Sequence, residues 1–113
     1  MELSERTHSR RDGGIVAAVG GMFEVSLEGT PTAGFVWEAE LLEGERKLVE
    51  PAGSEWRPPP ARRLGGTAVQ VFRFRALRRG QATLRFLYRR PWESQPVRER
   101  LVPVHIEESP AAG

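Results

Sequence analysis

The chain contains no cysteine, one aspartate and two histidines among its 113 residues, and each shortage removes a class of chemistry. Without cysteine there is no disulfide framework, no thiolate zinc site and no cysteine nucleophile. Stability must therefore come from packing. Asp12 and His8 both lie in the polar opening stretch MELSERTHSRRDGG. His105, on the last apolar-alternating segment, has no spaced partner for a metal or a catalytic triad and reads as a strand residue near the surface. No glycine-rich phosphate loop precedes a helix. These shortages point away from an enzyme, and no metal or other cofactor is expected. No apolar run approaches the roughly 20 residues of a membrane span, so no membrane partner is expected. GIVAAVGG is too short and too broken by glycine for a secretory signal. The expected location is cytoplasmic by default, and secreted or periplasmic if the sequence has been trimmed.

What is present fits one ordinary domain with a single two-layer core. The hydrophobic share of 39% and charged share of 28% are those of a globular protein. The formal charge is only +2, yet nearly all the basic residues are arginine, which lifts the isoelectric point to about 9.9. Seventeen Lys and Arg against fifteen Asp and Glu make no large field of one sign.

The dominant pattern has period two. Phe23, Val25 and Leu27 share one side against Glu24 and Ser26, and Phe72 and Phe74 alternate with Arg73 and Arg75. Leu84, Phe86 and Tyr88 repeat the pattern, as do Val102, Val104 and Ile106. Each reads as a half-buried strand. With turn residues between the runs and almost no helical periodicity, the expected fold is all-β. It is an immunoglobulin-like antiparallel sandwich of about seven to eight strands. The strands are placed at about 14–19, 21–28, 34–42, 45–50 (with a continuation near 55–57), 67–76, 81–89 and 97–107. EAELLEGERKLVE could be drawn as a helix, but Gly44 and its place between strands favour two strands and a turn. EPAGSEWRPPPARR is expected to be a proline-rich connection, neither helix nor central strand. Residues 1–12 and 108–113 are read as tails around a domain at 13–107.

If successive strands run antiparallel, every second connection lies at the same end. That parity gathers GTPTAG, RRLGGT and RRPWESQP together, with the RRG turn at the other end. In the first loop Pro31 sets φ, Gly34 can take φ > 0, and Thr32 and Ala33 are small. Such a tip is narrow and pre-shaped, with Phe35 and Trp37 as core pieces holding it. Gly65 and Gly66 form a simple turn or allow a partner backbone to come close. Trp92, between Pro91 and Glu93, is either a binding anchor or a plug folded over the sandwich end.

These three loops, in this order, resemble the chagasin family of cysteine peptidase inhibitors. The family's first loop runs Asn-Pro-Thr-Thr-Gly-Tyr/Phe-x-Trp, against Thr30-Pro31-Thr32-Ala33-Gly34-Phe35-Val36-Trp37 here. Its second has Gly-x-Gly-Gly, against Arg63-Leu64-Gly65-Gly66, and its third, Arg-Pro-Trp-Glu, is unchanged at Arg90-Pro91-Trp92-Glu93. The resemblance implies a reversible, tight-binding inhibitor of papain-family cysteine proteases. Pro31, Thr32 and Gly34 would wedge into the cleft, Gly65 and Gly66 would lie along one wall, and Arg90 and Trp92 would dock on the other. Pro91 would stiffen the third loop and Glu93 would hold its base. Thr30, Ala33 and Arg63 depart from the pattern and bear on affinity and enzyme preference.

Two other readings compete. One is an immunoglobulin-like adhesion or assembly module that binds a non-protease protein. The other is nucleic-acid binding through Arg73, Arg75, Arg85 and Arg89. The inhibitor reading leads, with a monomer, no small-molecule substrate and no nucleic acid as its expected accompaniments.

Overall fold

The computed structural model describes residues 8–9, 14–58 and 68–108. Its strands are β1 (His8–Ser9), β2 (Ile15–Ala18), β3 (Met22–Gly29), β4 (Val36–Glu40), β5 (Val49–Arg57), β6 (Ala68–Ala76), β7 (Gly80–Arg89) and β8 (Arg98–Glu107). The period-two segments become these strands for the reason the pattern suggests. Along β3, exposed and buried residues alternate without a break. In β7 the inward set is Ala82, Leu84, Phe86 and Tyr88. The strands form two sheets, ordered β1-β2-β8-β7-β4 and β3-β6-β5. Their facing sides make one core, with Phe23 stacked on Phe74 at 5.4 Å and Phe72 tilted against Phe86 at 5.1 Å.

One pairing departs from the expected antiparallel scheme. Strand β2 runs parallel to β8, Ile15 beside Val104 through Ala18 beside Glu107. The chain crosses from one sheet to the other between Ala18 and Met22, so β2 cannot pair with its successor and docks on β8 instead. Ahead of it, inside the stretch read as a tail, His8–Ser9 pairs with Ile15–Val16.

The middle of the chain also differs from expectation. Residues 45–50 are not one strand: Glu43–Arg46 form a single helical turn, α1, closed by Arg46 N–H on the Leu42 carbonyl at 3.0 Å. The turn is settled by the burial it permits. It brings Leu48 against Gly80 at the start of β7, while the polar residues Glu43, Arg46 and Lys47 stay outside. Likewise EPAGSEWR is strand, not connection. It lies at the edge of the three-stranded sheet, where Pro51 is tolerated because a partner is needed on one side only. A bulge between Pro51 and Gly53 absorbs the irregularity.

On the outer faces the arginines meet carboxylates across neighbouring strands. Arg73 reaches Glu55 at 2.9 Å, Arg85 lies between Glu40 and Glu99, and Arg89 reaches Glu38 at 2.6 Å. Exposed pairs of this kind contribute little stability each, but they organise the charge into cross-strand ladders. Hydrogen bonds from Arg73 and Arg57 hold the Glu55 carboxyl below its usual range. Its contribution is therefore present at neutral pH and is lost as acid takes the pH down through that lowered value.

The link that sets the position of β4 is polar and buried. Gln70, on the inward side of β6, accepts from the Trp37 backbone N–H at 2.9 Å and donates to the Trp37 carbonyl at 3.1 Å. The Trp37 indole Nε1 donates to the Glu28 carbonyl of β3 at 3.0 Å. Gln70→Leu leaves two backbone groups buried without partners, so a loss of about 2 kcal/mol or more is expected. The check is the denaturant midpoint, which should fall with its slope unchanged.

Candidate functional site

At the end of β3 the chain leaves the sheet at Gly29 and returns at Val36. Between them Pro31–Ala33 form one tight 3-10 turn, held by Ala33 N–H on the Thr30 carbonyl (3.0 Å) and Gly34 N–H on the Pro31 carbonyl (2.9 Å). Proline suits the first position because its missing N–H would have no partner there. Gly34 closes the turn at φ +86°, a conformation costly for other residues. A side chain would also be blocked, since a Cβ on Gly34 would lie 2.9 Å from Cη2 of Trp92. Thr32 and Ala33 are exposed at the tip, and Pro31 is half-buried.

Thr30 does not cap the turn with its own hydroxyl. Its backbone N–H donates to the Tyr88 hydroxyl at 2.9 Å, and its Oγ1 lies 3.1 Å from the same oxygen. Tyr88 stacks on Phe35 at 5.2 Å and tilts against Trp37 at 4.6 Å. Phe35 is therefore half-buried at the margin of the core, while Trp37 sits within it. One ring and one hydroxyl on β7 anchor both ends of the first loop.

The third loop leans on the first. Arg90 donates through Nε to the Ala33 carbonyl at 3.1 Å, and its guanidinium lies over the Phe35 ring at 4.3 Å. Its polar reach is thus directed to the neighbouring loop within the same molecule. The loop closes on itself through Glu93 N–H to the Arg90 carbonyl (2.9 Å) and Val97 N–H to the Tyr88 carbonyl (2.8 Å). Arg89, paired with Glu38, donates to the Glu93 carbonyl at 2.7 Å. Glu93 takes part in the loop through its backbone, with its carboxylate 3.8 Å from Arg90. Pro91 is exposed. Trp92 is 73% exposed, with its ring edge near Gly34 of the first loop.

Arg63, Leu64, Gly65 and Gly66 lie outside the described residues. Their described flanks, Arg57 and Ala68, stand beside Val69 and Gly29, at the end of the sheet where the first loop begins. The opposite turn also lies where parity puts it, with Ala76 bonded to Gly20 and Gly21 of the β2–β3 connection.

Three contributors to this geometry were not singled out from the sequence as site residues. Tyr88 was visible as the last inward residue of ATLRFLYRR, the only one carrying a hydroxyl. Gln70 interrupts an inward apolar series in AVQVFRF, a polar residue in phase with Phe72 and Phe74. Arg89 gave no signal distinguishing it from the other outward arginines.

The sandwich with braced, exposed loops at one end defines a class: an immunoglobulin-like module. The comparisons sharpen this. The family model described as chagasin family peptidase inhibitor I42 matches residues 16–106. Chagasin of Trypanosoma cruzi is 28% identical over 80 residues, covering 69% of this chain and 73% of that protein. Among solved structures, the cysteine protease inhibitor EhICP2 of Entamoeba histolytica superposes with a TM-score of 0.66 at 20% identity, covering 81% of this chain and 84% of that one. Amebosin superposes at 0.59 and 22% identity, over 87% and 90% of the two chains. The chain belongs to the chagasin family of peptidase inhibitors. It is an inhibitor, not an enzyme.

The Gly34 geometry is directly testable. Gly34→Ala forces a strained φ and pushes Trp92 aside, with an expected cost of about 1–2 kcal/mol. Thermal melting checks the cost. Acrylamide quenching of tryptophan fluorescence should rise as Trp92 loses its contact.

Proposed function

We propose that this protein is a reversible, tight-binding inhibitor of papain-like cysteine proteases, acting as a monomer through the loops at one end of the sandwich. The observation that carries the reading is the first loop itself: a hydrogen-bonded 3-10 turn, Pro31–Ala33, exposed at its tip and braced by Arg90 and Trp92. Membership of a peptidase inhibitor family supports it.

The mechanism is occupation without reaction. A peptide bond is cut when its chain lies extended across the catalytic cleft. The Thr30–Gly34 segment is folded on itself by two backbone hydrogen bonds, and must break them before it can extend. In the wedge role Pro31, Thr32 and Gly34 enter the cleft and Ala33 presents a methyl where the family has a hydroxyl. Thr30 keeps the loop anchored through Tyr88 in place of the family's asparagine. Gly65 and Gly66 would admit one cleft wall closely, and the other wall meets Trp92. Arg90 serves this contact from behind, by fixing the two loops together. Because the loops are already ordered, little conformational entropy is lost on docking, which is how small rigid inhibitors reach high affinity. Interfaces of this type bury on the order of 1,600 Å² in total.

Titration of active papain or a cathepsin L-like enzyme with the folded protein tests the reading. Stoichiometric, reversible inhibition is expected, and none at micromolar concentration would refute it. Trp92→Ala removes the most exposed aromatic of the surface and should weaken inhibition about thirtyfold, equivalent to about 2 kcal/mol. An unchanged inhibition constant would show that the indole does not touch the enzyme.

A further inference from the structure

The first loop has a glycine at each end, with an indole near each. At Gly34 the neighbour is Trp92. At Gly29 a Cβ would lie 3.2 Å from Cε1 of Tyr88 and 3.6 Å from Cη2 of Trp56. Trp56 belongs to β5, on the sheet opposite the one that carries Trp92. It stands across from Gln70 in the register, and so on the inward side of its strand. Gly29 stands across from Ala68 on the same central strand β6. The indole therefore reaches from the sheet edge across the small Ala68 position to the start of the loop.

On that inward side Trp56 is only partly covered. It remains 39% exposed, against 4% for Trp37. The Cη2 end of its ring lies toward Gly29, where the first loop begins. A large aromatic ring held on one side by its own fold and open on the other is the kind of residue that dominates protein interfaces. A ring covered on one side has fewer rotamers to lose, so docking costs it less entropy than it costs a free side chain. Its neighbour Arg57 is tied to Glu55 at 2.5 Å, which leaves an apolar surface beside a compensated charge.

We propose that Trp56 is a fourth point of contact with the target protease, outside the three loops. Its exposed face meets an apolar part of the cleft rim, on the flank opposite the one met by Trp92. The wedge then stands between two indoles, one from each sheet. This assignment rests on the inhibitor reading above.

The experiment begins with wild-type inhibition of papain. If there is none, it is the inhibitor reading that fails, whatever Trp56 does. With inhibition in hand, Trp56→Ala should weaken it at least about tenfold, and Trp56→Phe by less. A second readout separates contact from mere bracing of Gly29. The protein is labelled with 5-fluorotryptophan, its three fluorine resonances are assigned with single Trp→Phe variants, and unlabelled papain is added. Shifts of the Trp56 and Trp92 resonances, with Trp37 unmoved, are expected. A weakened Trp56→Ala variant together with an unmoved Trp56 resonance would overturn the proposal, because the ring would then act only through the loop. Undiminished inhibition by Trp56→Ala would overturn it as well. If that variant does not fold, the resonance of the labelled wild-type protein decides alone.

Discussion

Trp37 is bound at three points to the sheet it does not belong to. Its backbone N–H and carbonyl are both taken by the Gln70 amide of β6, and its indole N–H by the carbonyl of Glu28 on β3. Among the described residues, strand β4 is an edge, paired only with β7. An edge strand has backbone groups facing outward, and buried ones need partners. Gln70 supplies both from one side chain, as a neighbouring strand would. Because Trp37 follows the first loop by three residues and Glu28 precedes it by two, the same bonds fix the distance the loop must span. Loss of that tie would free the loop's two ends to move apart, and the geometry of Pro31–Gly34 would go with it.

Built on that span, the first and third loops behave as one body. Tyr88 holds Thr30 and stacks on Phe35, Arg90 caps Phe35 and bonds to Ala33, and Trp92 lies on Gly34. Each contact is modest, near 1 kcal/mol for a hydrogen bond or a ring pair. Their effect is cooperative, since each restrains a residue that the next one needs in place. The departure at Thr30 fits this arrangement: its hydroxyl lies against Tyr88, so it joins the aromatic anchor and leaves the turn to close through its backbone.

The cross-strand pairs of arginine and glutamate explain the composition of the chain. Outward positions on adjacent strands stand close enough for a guanidinium to reach a carboxylate. Arg73, Arg85 and Arg89 use that distance, so the high isoelectric point does not translate into a basic stripe on these faces. Arg75 is directed instead toward the Gly20 carbonyl.

The sequence by itself determined what depends on near neighbours. Alternation at period two marked β3, β6, β7 and β8, because side chains of successive strand residues must face opposite ways. Proline and glycine marked the tip of the first loop, and strand parity placed it with the third. Tertiary structure decided whatever depends on distant partners. The helical turn at Glu43–Arg46 exists because it delivers Leu48 to Gly80, more than thirty residues away. The segment through Pro51 is a strand because β6 offers it an edge, and β2 docks in parallel on β8 because its successor lies in the other sheet. The same division runs through the site. Pro31, Gly34 and Trp92 could be picked out by residue type and position. That Arg90 faces Ala33, that Tyr88 holds Thr30 and that Trp56 lies near Gly29 followed only once two sheets, closed over a common core, had brought those residues together.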